Sequence, residues 1–554
     1  MSVVVAKMFE ADMNGFRFVF SKDASIKTCI YFSVMYMAVM IFNTMTVSKY
    51  KLIDLLNAEK KNEKVKMKNP VLAILVFLLG ASILGYAYWK VTADFNSLST
   101  VDKILPPILM GIVGTILVFW SLSGFILQVI QLMKSIYLKD TNMFVLRQIN
   151  NKINTMVASM SVICLMLFMT ISILSSSLAL KNTMQREMIE MTPVDLNLYK
   201  TANLPETYMR YGITVTTTEE QREDSRHPLR ETLINNGLDM NVLKDVVEIP
   251  IYADDNFRVE NFMGYNVEVM NNPAETIVKI SDYNQIAKLY GIEEYALNDD
   301  EYIVLCDFEP MKNLRDMVLQ DGNDITIVGK NYKTKYNECK SGFIEISTSH
   351  TNTGIILVPD NCPLTDEIKE EYLLVANYNA STDEEKEEIE EIFTGVNSNF
   401  IENLNKNGIE LDGMTKISIY ESSIGIATIV TFIAIYLGTI FLIASAAILA
   451  LKQLTDSSDN KQRYTILRKI GCDEKMINKA LFRQIGIFFG MPLILAIIHS
   501  IFGIQFVVNL MSGLASREDL LPSIIMTVII IGVIYGTYFL ATYYGSKNII
   551  KEEE

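Results

Sequence analysis

The sequence predicts a polytopic α-helical membrane protein. It has seven predicted transmembrane helices and one large extracellular mixed α/β domain between helices four and five. Three observations carry this reading: seven long apolar runs, a polar segment between the fourth and fifth of them, and basic residues confined to alternate short loops. The chain has 554 residues, half of them apolar, and its mean hydropathy is +0.23. That is too apolar for an ordinary soluble protein carrying this much charge.

A helix needs roughly 20 mainly apolar residues to cross the hydrocarbon core. Such runs lie at 27–47, 70–90, 105–132, 157–180, 424–451, 484–506 and 522–545. Two of them exceed what a span requires, so tilt or extension beyond the bilayer is expected. From Thr183 to Tyr420 the chain is polar, and acidic residues outnumber basic ones by 45 to 20. The remainder holds 29 basic and 19 acidic residues, so the formal net charge of −15 comes from that one segment.

Orientation follows from Lys and Arg in the short loops. Loop 48–69 carries seven lysines, loop 133–156 carries Lys134, Lys139, Arg147 and Lys152, and the block 452–483 carries eight basic residues. Loop 91–104 has only Lys103, and loop 507–521 only Arg517. The alternation puts the basic loops and the C-terminus in the cytosol and the acidic domain outside. The chain then divides into an external N-terminal segment (1–26), a four-helix membrane region (27–182), an acidic extracellular domain (183–420) and a three-helix region (421–554). The opening "MSVVVAKMFEADMNGFRFVFSKDASIK" does not read as a signal peptide, having neither a basic start nor a small-residue cleavage site. An external N-terminus without an export signal leads to the expectation that upstream spans are missing.

The spans hold almost no ionisable side chain. His499, in "LAIIHSIFG", is the one deep inside. Ion-coupled carriers and channels keep intramembrane charges because such groups are costly in lipid, so this composition argues against them. His499 is read first as a polar contact between helices, and second as a proton site. There is no G-x-x-x-x-G-K-[ST] loop, no H-E-x-x-H, no zinc-type Cys/His set and no G-x-S-x-G elbow. No catalytic residue, cofactor or metal is expected, and no nucleic acid. Any work must draw its energy from a partner. Cys306, Cys339 and Cys362 lie in the external domain, where an odd number permits at most one bridge. All six cysteines read more simply as small hydrophobes.

In the external domain "VVEIPIYA", "ETIVKIS", "EYIVLCDF", "NDITIVGK" and "TGIILVPD" read as short strands. "SDYNQIAKLYGI" reads as a helix capped by Ser281 and ended by Gly291, and "STDEEKEEIEEIFTGV" as one capped by Ser381 or Thr382. Two helical stalks are expected to continue spans four and five outward. A strongly acidic domain attracts cationic ligands, although screening over about 8 Å leaves a merely solvated surface as the simpler explanation. Gly532 and Gly536 in the last span have the spacing of a close helix contact.

The cytosolic block reads as two helices. Tyr464, Leu467 and Ile470 recur at helical spacing, Gly471 stops the first helix, and Asp473 caps the second. Met476, Ile477, Ala480 and Leu481 then form an apolar stripe leading into the sixth span. Such basic amphipathic helices also suit anionic membrane lipids.

The ordered stretch "ALKQLTDSSDNKQRYTILRKIGCDEKMINKALFRQIGIFFGMPLILAIIHSIFG" resembles the last region of the FtsX-like ABC transporter permeases. Within them it is most similar to the bacitracin-type permeases of peptide-antibiotic resistance. "KYKLIDLLNAEKKNEK" resembles the segment after their first transmembrane unit. The resemblance implies ten spans with the external domain between spans seven and eight, so this chain is expected to lack the first three. It also implies a cytosolic ABC ATPase dimer docking on block 452–483, with Tyr464, Leu467, Arg468, Gly471 and Asp473 at the contact. Further implied partners are a sensor histidine kinase and a cationic peptide antibiotic or its complex with a lipid-linked cell-wall precursor. The implied setting is the plasma membrane. The alternatives are an FtsX-type mechanotransmission regulator of an external hydrolase, a lipoprotein-releasing permease, and a ligand-sensing receptor that needs no ATPase.

Overall fold

The computed structural model describes residues 21–49, 70–98, 100–132, 137–138, 141–263, 272–320, 322–395, 398–409, 411–510 and 519–551. Among these residues seven helices are long and apolar enough to cross a membrane: Lys22–Ser48, Val71–Thr92, Val101–Leu122, Met156–Met191, Lys416–Asp459, Glu474–Leu510 and Leu520–Ile550. Each apolar run read from the sequence lies on one of them or on its continuation. The lysine-rich stretch 50–69, which carries the second resemblance, lies outside the described residues, as do Lys134 and Lys139.

The chain folds as two units. One holds Met1–Ser172, Tyr436–Phe506 and Ile529–Glu554, and the other Ile173–Ile435 and Val507–Val528. In the first, glycine lets two helices approach closely. A methyl group placed on Gly114 would lie 2.7 Å from the Leu84 side chain and 3.3 Å from the Gly80 carbonyl oxygen. Small residues let two backbones approach this closely where lipid supplies no hydrophobic drive between helices. Gly532 and Gly536 differ: a methyl group on either would meet nothing within 4 Å among the described residues. His499 is a polar contact between helices. Its Nε2 lies 2.9 Å from Thr115 Oγ1, and its Nδ1 is bonded to the Tyr88 hydroxyl.

The second unit is built on a mixed sheet of nine strands: β1 (Leu196–Thr201), β2 (Leu243–Arg258), β3 (Ala274–Lys279), β4 (Glu301–Leu305), β5 (Ile325–Ile327), β6 (Lys330–Thr334), β7 (Ile355–Val358), β8 (Lys369–Tyr378) and β9 (Asp412–Thr415). Their spatial order is β5-β6-β4-β7-β3-β2-β8-β1-β9. β3 with β7 and β4 with β6 are parallel, and the other pairs are antiparallel. All five strands read from sequence are present. β1, β6, β8 and β9 were not anticipated.

One core packs the Ile280–Tyr290 helix, through Tyr283, Ile286 and Tyr290, against Ile249, Leu305, Leu357 and Leu373. That helix starts one residue before the expected cap. Ser281 is inside it and caps nothing, and the Ser281 amide donates instead to Asp360 Oδ1 at 3.2 Å. A carboxylate brought in from the end of β7 does the work expected of the local hydroxyl. Gly291 ends the helix as expected, at φ +71°. The Asp383–Thr394 helix is capped by Thr382 in a capping box with Glu385.

The two longest helices, Asn142–Met191 and Lys416–Asp459, are rooted in this unit. Met188 and Met191 of the first and Ile419 of the second are buried in the same core. Lys416 Nζ donates to the Thr192 carbonyl at 2.9 Å, and the Lys416 amide to the Asp195 carbonyl at 2.9 Å. The Asp195 carboxylate accepts from the Tyr378 amide and from Lys386 Nζ, both at 3.0 Å.

The first helix also carries Glu190. His350 lies 3.2 Å from Asp307 Oδ2 through Nδ1 and 3.8 Å from Glu190 Oε2 through Nε2. The Asp307 hydrogen bond, with Glu190 and Glu187 nearby, raises its pKa above the ordinary histidine value. A raised folded-state pKa gives stability that is complete below the unfolded value of about 6.5 and is lost as pH rises through the folded value. Thermal unfolding at a series of pH values should show this loss as pH rises above about 6.5 in the wild type and a flatter profile in His350→Gln. Gly114→Leu should overpack the glycine contact by about 1–3 kcal/mol and lower the melting temperature, while Gly532→Leu leaves it unchanged.

Candidate functional site

The corner between the last helices begins where Lys416–Asp459 ends. The Asn460 amide and its side-chain Nδ2 both donate to the Asp456 carbonyl, at 3.1 and 2.7 Å. The Asn460 carbonyl then accepts from the Arg463 and Tyr464 amides and opens the short helix Lys461–Lys469. That helix closes in a Schellman motif. The Cys472 amide donates to the Leu467 carbonyl at 3.0 Å, and the Gly471 amide to the Arg468 carbonyl at 2.9 Å. The turn requires φ +91° at residue 471, where a side chain would be strained and glycine is not. The Asp473 carbonyl accepts from the Met476 and Ile477 amides and starts the Glu474–Leu510 helix.

The corner has two faces. Tyr464 is 1% exposed and Leu467 9%. The Tyr464 hydroxyl donates to Gln484 Oε1 at 3.0 Å, and its ring meets Phe144 edge-on at 5.7 Å. Ile477, Ala480 and Leu481 of the expected stripe are buried too. Arg483 Nη1 donates to Asn142 Oδ1 at 2.5 Å, which ties the corner to the start of the Asn142–Met191 helix. The other face is open: Arg463, Ile466, Lys469 and Ile470 are exposed, Ile466 by 57% and Ile470 by 70%. Two isoleucines one turn apart with cations beside them make a small apolar ridge.

Of the residues named from sequence, Tyr464 and Leu467 therefore face into this chain. Arg468 Nε donates to Glu474 Oε1 at 2.5 Å across the Gly471 turn, an exposed pair of small energetic value. Gly471 and Asp473 sit at the bend. Ile466 was passed over, and Ile470, read with Tyr464 and Leu467 as one apolar stripe, is turned out to the open face instead. Among the described residues no group of His, Cys, Asp and Glu could hold a metal ion.

Residues 437–553, which contain this corner, match the family described as FtsX-like permease C-terminal. Residues 437–553 form an FtsX-like permease domain. The similarity extends beyond it. The bacitracin export permease protein BceB of Bacillus subtilis (strain 168) is 23% identical over 550 residues, covering 96% of this chain and 77% of the relative. The uncharacterized ABC transporter permease YvcS of the same organism is 20% identical over 539 residues, covering 95% and 76%. A bacitracin export permease from Halalkalibacterium halodurans is 32% identical over 122 residues, 22% of this chain and 18% of the relative. Over nearly its whole length the chain is thus similar to ABC transporter permeases, and its seven long apolar helices agree with a multi-pass membrane protein.

In this chain the two faces of the corner differ in energetic weight. Leu467→Ala should destabilise by about 2–5 kcal/mol, because it empties a packed site. Ile466→Ala should change stability by no more than about 0.5 kcal/mol. Thermal unfolding of the purified chain in detergent, followed by tryptophan fluorescence, measures both.

Proposed function

We propose that the permease carries out no chemistry of its own and converts the closure of a separate cytosolic ABC ATPase dimer into movement of its membrane helices and sheet domain. Block 452–483 and the C-terminus are cytosolic, and the domain 183–420 is extracellular in the plasma membrane. The ATPase docks on the ridge of Ile466 and Ile470, with Arg463 and Lys469 beside it. Tyr464 and Leu467 hold the ridge from behind, and Gly471 and Asp473 fix its angle. The observation that carries this reading is a rigid corner with one face buried against its own helices and one apolar, basic face left open. A push on that ridge is delivered to Lys416–Asp459 and Glu474–Leu510 together. The first of these is one continuous helix whose other end is buried in the core of the sheet domain.

The task served is peptide-antibiotic resistance and sensing. Support comes from the two relatives whose names are bacitracin export permease and from the acidity of segment 183–420, which suits a cationic peptide or its complex with a lipid-linked cell-wall precursor. A sensor histidine kinase is the further partner under this reading.

The test is capture of a cytosolic ABC ATPase from the same organism, co-expressed with the tagged full chain and purified from membranes. The wild type should retain it. Ile466→Asp with Ile470→Asp should lose it while inserting and melting as the wild type does, since neither side chain supports the fold. Retention by that variant would remove the ridge from the contact. A wild type that inserts but captures no ATPase would favour the receptor alternative.

A further inference from the structure

A cleft of about 580 Å³ opens in the second unit at the end of the sheet where β1 finishes and β8 begins. Its walls are polar and apolar in equal share: Tyr199, Tyr208 and Tyr211 are prominent, and Glu370, Glu371 and Asp412 line it as well. The strand register explains the grouping. Glu371 of β8 pairs with Thr201 of β1, and Asp412 of β9 pairs with Tyr199 of the same strand. Two carboxylates are thus set on either flank of one short strand, with a tyrosine between them. None of the described residues lining the cleft is a lysine, arginine or histidine.

The nearest cations have partners of their own, although Arg210 also acts on Glu370 and offsets part of the rise that burial gives it. Arg210 is paired with Asp255 at 3.2 Å and donates to the Glu367 and Ala253 carbonyls. Lys200, in a smaller adjoining pocket, is buried and bonded to Asp224, Thr232 and the His227 carbonyl. Glu370 accepts a hydrogen bond from the Tyr211 hydroxyl. Glu371 has no such compensation: burial pushes its carboxyl up to about 7, and Glu370, Glu345 and Asp412 all add to the rise. Like-charged carboxylates crowded beside an aromatic cleft are a configuration that a bound cation would relieve.

We propose that this cleft binds a cationic side chain of an amphipathic peptide, an ammonium or guanidinium group carried on an apolar stem. The carboxylates would meet the charge and the tyrosine faces would meet both the cation and its stem. The cleft is also the right kind of volume for one such group with its neighbour, being within the 300–1,000 Å³ range of ordinary ligand pockets. This rests on the peptide-handling reading above and gives it a location in the chain.

The experiment uses the full chain in detergent and the synthetic amide Leu-Lys-Phe-Lys as probe, with affinity read by calorimetry. The same peptide with both lysines acetylated is the uncharged control. The wild type should bind the cationic peptide and not the acetylated one. Glu371→Gln with Asp412→Asn should weaken binding about tenfold or more, equivalent to about 1.4 kcal/mol. Glu384→Gln with Glu388→Gln, which removes the same charge from the exposed face of the Asp383–Thr394 helix, should leave affinity unchanged. Neutralising crowded carboxylates relieves repulsion, so the cleft variant should melt no lower than the wild type, and loss of binding cannot be assigned to misfolding. Equal affinity in wild type and cleft variant, equal weakening in both double variants, or no binding by the wild type would each overturn the proposal. ATPase capture is scored on separate material without peptide. A permease that holds its ATPase but fails here loses only the cleft, and one that binds peptide at the cleft but captures no ATPase loses only the motor coupling.

Discussion

The joint at Asp195 is the contact on which the rest of the second unit depends. Lys416 reaches back to the Thr192 carbonyl, its amide bonds the Asp195 carbonyl, and the Asp195 carboxylate holds the Tyr378 amide and Lys386. These bonds tie the end of one long helix, the start of another and the end of strand β8 into one network. Beside them Glu390 accepts from the Tyr378 and Thr415 hydroxyls. A buried network of this kind is costly when half satisfied and rigid when complete. Its consequence is directional. The two long helices cannot slide past each other at their roots without breaking charge-assisted bonds, so a displacement of either is shared with the sheet.

The corner at Gly471 follows the same logic with different means. There the fixing comes from packing and a Schellman turn rather than from charge. Tyr464 carries a hydroxyl into a buried site and satisfies it on Gln484, which removes the penalty a buried hydroxyl otherwise bears. With Leu467 beside it the short helix has one orientation. That leaves Ile466 and Ile470 no choice but to face outward. An apolar pair held in the open by a rigid base is poor design for solubility and good design for a contact.

Much of this was readable in the chain, and the failures have physical causes. The seven spans were legible because lipid offers backbone groups no partner, so length and hydropathy alone select the helix. β8 was missed because "YLLVA" is buried on both faces and reads as a continuous run rather than an alternation. β9 was missed because "DGMT" is short and lies at the sheet edge. The Ser281 cap failed because a carboxylate 79 residues away supplies the bond instead, and no local rule can see it. At the corner the nine-residue helix has apolar residues on two faces, and the pattern cannot say which face is inside. The glycine signal was read at Gly532 and Gly536, where the spacing is conventional. A close contact lies instead at Gly80 and Gly114 on different helices, where only the fold brings the pair together.

The acidity of segment 183–420 takes on a different meaning once its pairs are placed. Read as a total, it describes a diffuse field that salt screens within about 8 Å. In the fold, many of the basic residues are spent on internal partners: Arg315 on Glu275, both fully buried, Lys200 on Asp224, Lys386 on Asp195, Lys369 on Asp366, and Arg210 on Asp255. Each pair removes one acid and one base from the count and leaves the excess where no base remains. Glu371 is such a place, raised by every neighbour and lowered by none among the groups acting on it. Screening does not reach a carboxylate inside a cleft as it reaches one on an open helix, so a short-range deficit of this kind discriminates between ligands where a net charge only attracts them. The physically informative quantity is therefore the set of carboxylates that the fold leaves without a cation, and in the cleft beside β1 that set lies against three tyrosines.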